Sequence, residues 1–158
     1  MATSWASSLD WIGRLDSAVS EVFEMMLERS CAPIQDTDIV QDPISAQIFF
    51  SGAICGECLL FTSRTVAHVT AGVLLGADSG PDSSMVEDAV GELCNMVAGG
   101  WKSKLGSAEA ACAISPPKVS TDPISSFLPT SEKHFRRFYS FEGCIFGVQM
   151  AFATNQNI

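Results

Sequence analysis

Three polar residues in the stretch VEDAVGELCNMVAGGW, residues 86–101, have the types and the spacing for chemistry. Asp88, Glu92 and Asn95 are separated by steps of four and three residues. At about 100° per residue those steps return to nearly one azimuth, so a helix over this stretch carries all three side chains on one line. Ala89, Val90, Leu93, Met96, Val97 and Trp101 fall on the other side. A carboxamide accepts a hydrogen bond from water at its oxygen while its NH₂ group engages a second oxygen, and a carboxylate one turn away is placed to pair with a cation. A stripe of Asp, Glu and Asn is also what an ordinary amphipathic helix turns toward solvent, so the spacing alone does not decide for catalysis.

The elements that must position the stripe follow from periodicity. The central helix is expected from about Met85 to Leu105, opened by a capping box of Ser84 and Glu87 after the SGPDSS turn. Gly99 and Gly100 in its last turns suit close backbone packing or fraying. Residues 8–29 place Trp11, Leu15, Ala18, Val19, Val22, Met25 and Met26 at helical spacing and predict a first helix, with its methionine-rich end in the core. A loop from Pro33 to Pro43 leads to ISAQIFFSGAICGECLLFTS, two strands broken near Ser51 and Gly52 as in a hairpin. A shorter helix is expected over 63–77 and a turn over 78–84. After Gly106 come an apolar segment to Ile114, the SPPK bend, a loop to Pro129, and strands from about His134 to Thr154.

The two halves resemble each other. FSGAICGECLLFTS, from Phe50, and FEGCIFGVQMAFAT, from Phe141, share Phe, Gly, Ile, Gly and Phe at a constant offset of 91, and SAVSEVFEMM, from Ser17, lies over DAVGELCNMV, from Asp88, at an offset of 71. Both matches occur in the same order. The chain therefore reads as one domain, 1–158, of α+β type: duplicated helix-plus-hairpin halves, about 8–77 and 83–154, forming an antiparallel sheet with long amphipathic helices. The first copy of the stripe is Ser17, Glu21, Glu24, which lacks the amide. A glutamate offers no donor, so if the site needs both a carboxylate and an amide, only the second half is complete.

Composition narrows the remaining classes. At 158 residues, 47% hydrophobic and 17% charged, the chain is long enough to bury a core and is not of disordered type. A net charge of −9 with nine Lys plus Arg argues against nucleic acid and anionic membrane as partners. The N-terminal MATSWASSLDWIG has no basic segment or unbroken apolar run, and the apolar stretch at 67–77 is too short to span a bilayer, so a cytoplasmic location is expected. The six cysteines sit among apolar neighbours and read as core filling in a reducing compartment. Cys55 and Cys58 form a CxxC, but in a strand their thiols go to opposite faces and no second pair completes a zinc site. His68 and His134 have no third ligand at metal spacing, and Lys133, His134, Arg136 and Arg137 read as a solvated strand entry. The chain contains no P-loop, GxSxG or GxGxxG.

Asp88, Glu92 and Asn95, followed by Pro117 within ISPPKV, resemble the signature of the CheC, CheX and FliY phosphatases of bacterial chemotaxis. A single complete signature, in the second half, is more like CheX than CheC. The resemblance implies a phosphatase acting on the aspartyl phosphate of a CheY-like response regulator, in chemotaxis or related two-component signalling. It implies Asn95 as the residue that orients the attacking water, Glu92 as the carboxylate that holds the receiver's lysine, and Asp88 as a partner contact, with capping or solvation as its alternatives. It further implies no metal or cofactor of the chain's own, Mg²⁺ on the partner receiver domain, and a homodimer. The rival reading is a non-catalytic adaptor that binds a receiver or another signalling protein through the same helix; a third is a CheC-like subunit that needs a separate partner.

Overall fold

The computed structural model describes residues 10–37, 41–76, 80, 82–106, 112–124 and 133–154. Helix α1, Trp11–Val22, is capped by Asp10, whose Oδ1 accepts from the Gly13 amide at 2.7 Å. It runs into a π-helical turn, Phe23–Leu27, and stops where Glu28 takes a left-handed conformation with φ 53°. The expected uniform helix over 8–29 is corrected by that turn. The wider winding buries Phe23 and Leu27 and swings Met25 and Met26 outward, 78% and 47% exposed, so the methionines are not core.

Strands β1, Ala32–Ile34, β2, Pro43–Gly52, and β3, Ile54–Ser63, come next, then helix α2, Arg64–Leu75, and helix α3, Ser83–Ser103. The chain continues through β4, Cys112–Ile114, and β5, Lys118–Ser120, to the hairpin of β6, Lys133–Phe141, and β7, Cys144–Thr154. Every pairing in the sheet is antiparallel, in the order β1-β6-β7-β3-β2-β4, and β5 shares the β2 edge with β4. The two hairpins thus meet at β3 and β7 in the centre.

Alternation sorts the sheet's side chains onto two faces. Ile44, Ala46, Ile48 and Phe50 of β2, Cys58 and Leu60 of β3, and Phe146, Val148, Met150 and Phe152 of β7 join the helices in the main core. Leu59, Phe61 and Phe138 form a smaller cluster on the far face. Phe50 and Phe141, matched at offset 91, both lie in the main core. Phe61 and Phe152, matched at the same offset, lie on opposite faces. The turns explain the slip: Phe141 faces Cys144 across Glu142 and Gly143 alone, with φ 49° and 80°, whereas Phe50 faces Gly56 across residues 51–55. A constant sequence offset therefore does not survive the turn as a constant structural one.

Helix α3 is fixed at its C-terminal end. Trp101 is fully buried and packs against Trp11, Phe50 and Phe152, with ring centroids 5.8, 5.4 and 5.2 Å away, and its Nε1 donates to the Trp11 carbonyl at 3.2 Å. Gly100 lets α1 come close: a Cβ there would sit 3.3 Å from the Ala18 Cβ. Arg14 donates to the Lys104 carbonyl beyond the helix end. Cys94, buried beneath, points its Sγ at the Ala46 carbonyl at 3.4 Å and ties α3 to the sheet.

Of the four basic residues of β6, Arg136 and Arg137 are engaged within the fold and His134 is exposed. Arg137 pairs with Asp16 of α1, Nη2 to Oδ2 2.7 Å, and the Tyr139 hydroxyl donates to the other oxygen at 2.7 Å, while Arg136 donates to Gln149 at 2.9 Å. Cys58 is buried and Cys55 exposed, as the alternation requires.

A candidate catalytic face on helix α3

The N-terminus of α3 is capped by Asp82, whose Oδ1 accepts from the Met85 amide at 2.9 Å, and not by the Ser84–Glu87 box. Asp88 lies six residues beyond that cap and does not serve as one. Val86, Ala89, Val90, Leu93, Cys94 and Val97 are buried, so the helix turns its opposite side outward. Asp88 and Glu92 are exposed there and Asn95 is half-buried. Among the described residues the carboxylates of Asp88 and Glu92 form no ion pair. Two acceptors and an amide are thereby offered to solvent on a helix whose other face and far end are held.

The SPPK bend borders this face. On the outer edge of β2, β4 pairs with Phe50–Gly52 and β5 with Ser45–Gln47, and the segment between them leaves the sheet. Ser115 fixes its start: its amide donates to the Phe49 carbonyl at 2.9 Å and its Oγ accepts from the Phe49 amide at 2.9 Å. Pro116 and Pro117 have no N–H to continue the ladder. Pro117 reaches α3 instead, where a Cβ on Gly91 would lie 3.4 Å from Pro117 Cγ and 3.5 Å from Val119 Cγ2. Pro117 therefore stands beside the helix at the level of Glu92, one turn before Asn95.

The first-half stripe is arranged differently. Ser17, Glu21 and Glu24 are exposed, but Glu24 lies in the π-helical turn, which breaks the line of side chains. Glu21 is already engaged by Lys104. Sequence reasoning missed Lys104, Gly91 and Val119, because their meaning depends on which elements touch.

Other reactive groups lie apart from this face. Burial pushes the Cys31 thiol up to about 12, and a hydrogen bond with Cys94 together with burial raises Cys58, so these thiols stay protonated. Among the described residues no helix is long and apolar enough to cross a membrane.

The sequence model of the family described as Chemotaxis phosphatase CheX matches residues 44–133, which include the α3 stripe and the SPPK bend. No curated protein matches. Several crystal structures are similar in fold. A chemotaxis protein CheX from Desulfovibrio desulfuricans shares 20% identity at a TM-score of 0.76, over 92% of this chain and 100% of that one. The chemotaxis protein CheX of Vibrio vulnificus shares 20% at 0.73, over 91% and 97%. The CheX–CheY–BeF₃–Mg²⁺ complex from Borrelia burgdorferi contains a chain 19% identical at 0.68, over 91% and 98%.

Proposed function

Because this chain belongs to the CheX family of chemotaxis phosphatases, we propose that it hydrolyses the aspartyl phosphate of a CheY-like response regulator with Asn95 and Glu92 of α3. The observation that carries the assignment is the exposure of Asp88 and Glu92 in line with half-buried Asn95, on a helix anchored through Cys94 and Trp101. The similar Borrelia burgdorferi protein was crystallised with CheY, BeF₃ and Mg²⁺, which supports a receiver as the partner class.

The chemistry is mostly positioning. Water attacks phosphorus in line; the new P–O bond forms as the bond to the aspartyl oxygen breaks, the receiver's carboxylate leaves, and the water's proton is released with inorganic phosphate. Asn95 accepts a hydrogen bond from that water at its amide oxygen and donates from its NH₂ to a phosphoryl oxygen, which fixes the line of attack. Glu92 pairs with the receiver's active-site lysine and sets the register of docking, and Asp88 extends the acidic contact. The metal comes with the receiver, a reading supported by the Mg²⁺ in the similar Borrelia burgdorferi complex with CheY.

The same proposal includes one domain of two related halves, a homodimer, and a cytoplasmic location. The meeting of two hairpins at β3 and β7 supports the first of these. Decay of a phosphorylated receiver with sub-stoichiometric protein tests the activity: faster decay that depends on Asn95 is expected, and saturable binding without turnover would make the protein an adaptor.

A further inference from the structure

Asn95 is flanked along the helix by two glycines, Gly91 one turn before it and Gly99 one turn after. The first is explained by its neighbours, since Pro117 and Val119 occupy the space where its side chain would go. Gly100 is likewise explained by Ala18. Gly99 is not: apart from its chain neighbours and the helix's own backbone, no heavy atom of the described residues lies within 4 Å of a Cβ built there. A glycine inside a helix lowers stability relative to alanine, and nothing in the packing of the described residues requires one at this position.

Side chains on a helix lean toward its N-terminus and cover the turn before their own Cα. Any side chain at position 99 would lie over the turn that carries Asn95. We propose that Gly99 is a docking determinant, which keeps the C-terminal flank of Asn95 bare so that the main chain around the receiver's acyl phosphate can close directly onto the helix. The inference rests on the assignment of Asn95 to the receiver site and adds to it the reason for the bare flank. On the opposite flank Pro117 supplies a wall, so the receiver meets a ridge on one side of Asn95 and open backbone on the other. Helix stability is given up at Gly99 for close approach by the partner. Gly99 touches no reacting atom and acts on how deeply Asn95 enters the site.

The test compares Gly99→Ala, Gly99→Leu and Asn95→Ala with wild type in urea unfolding, in dephosphorylation of a CheY-like receiver, and in binding of that receiver activated with beryllofluoride. Gly99→Ala is expected to unfold at higher urea than wild type and yet lose severalfold in kcat/KM. Gly99→Leu is expected to remain folded and lose about fiftyfold, mostly through KM and receiver affinity. Asn95→Ala is expected to lose kcat instead. Stability and activity moving in opposite directions is a result that a packing role for Gly99 does not give. Wild-type kcat/KM in Gly99→Leu beside an inactive Asn95→Ala overturns the inference and leaves the site intact. A large loss of stability in either Gly99 variant also overturns it, because the space would then be needed by this chain. Full activity in Asn95→Ala overturns the site assignment and this inference with it.

Discussion

Lys104 Nζ lies 2.8 and 2.9 Å from the two carboxylate oxygens of Glu21, the first-half counterpart of Glu92. The first-half carboxylate is held in cis by a lysine from the end of α3, while Glu92 stands open. With Glu24 in place of an amide, and on a π-helical turn, the first half offers neither the free carboxylate nor the water-orienting group. Glu21→Ala should therefore leave turnover within about twofold of wild type. The Glu21 carboxylate is exposed and Lys104 half-buried, so loss of the pair should lower stability by about 1 kcal/mol, an effect that shrinks in high salt. Comparable losses of activity in Glu21→Ala and Glu92→Ala would show that both halves work.

Glu92→Ala should weaken docking and rate together. Its carboxylate makes no contribution to the internal ion pairs among the described residues, so thermal unfolding should barely change. Titration with beryllofluoride-activated receiver should show an affinity loss of roughly tenfold, about 1.4 kcal/mol, smaller at high ionic strength. Normal affinity in this variant would contradict the role given to Glu92.

The close approach of β3 and β7 predicts a stability effect of opposite sign to Gly99→Ala. A Cβ on Gly56 would fall 2.1 Å from the backbone oxygen of Ala151, and backbone in the middle of a sheet cannot move aside. Gly56→Ala should cost about 1–3 kcal/mol or more in urea unfolding. An unchanged midpoint would mean the two central strands are not packed as described.

Alkaline pH should destabilise the fold. The Cys31 thiol is raised by burial from 9.0 to about 12, so the folded state holds a proton that the unfolded state releases. For a group raised on folding, its stabilisation is complete below the unfolded value and lost as pH rises. The loss should run between about pH 9 and pH 12. Tyr139, raised by burial and by its bond to Asp16, acts in the same direction above pH 10. Unfolding midpoints at pH 8 and pH 10.5 should fall in wild type and fall less in Cys31→Ala.

Much of this architecture was legible in the sequence, for a physical reason in each case. The 3.6-residue period gave α1 and α3, because burial of one helix face leaves a pattern that survives without knowledge of the partner surface, and the break at Ser51 and Gly52 with the repeat at offset 91 gave the hairpins. The stripe of Asp88, Glu92 and Asn95 was legible for the same reason. The three-residue strands β1, β4 and β5 were not, since so few residues carry no period. The π-helical turn has no composition of its own, so Met25 and Met26 read as core when they are exposed. The cap was misplaced because PDSS offers several acceptors in a row, and only the geometry selects Asp82. The offset of 91 hid a change of face at Phe61 and Phe152, because turn length and strand register are not visible in identities. The sense of Gly91 and Gly99 depended on what lies within reach of each, one filled by Pro117 and the other open.

The most direct test is the decay of a phosphorylated CheY-like receiver domain in the presence of catalytic amounts of this protein, wild type beside Asn95→Ala. The substitution places a better helix former at a half-buried position, so folding should be preserved. The proposed water-orienting role predicts accelerated decay with wild type and a loss of about a hundredfold in Asn95→Ala, roughly 2.7 kcal/mol of barrier. Equal acceleration by the two proteins would contradict it.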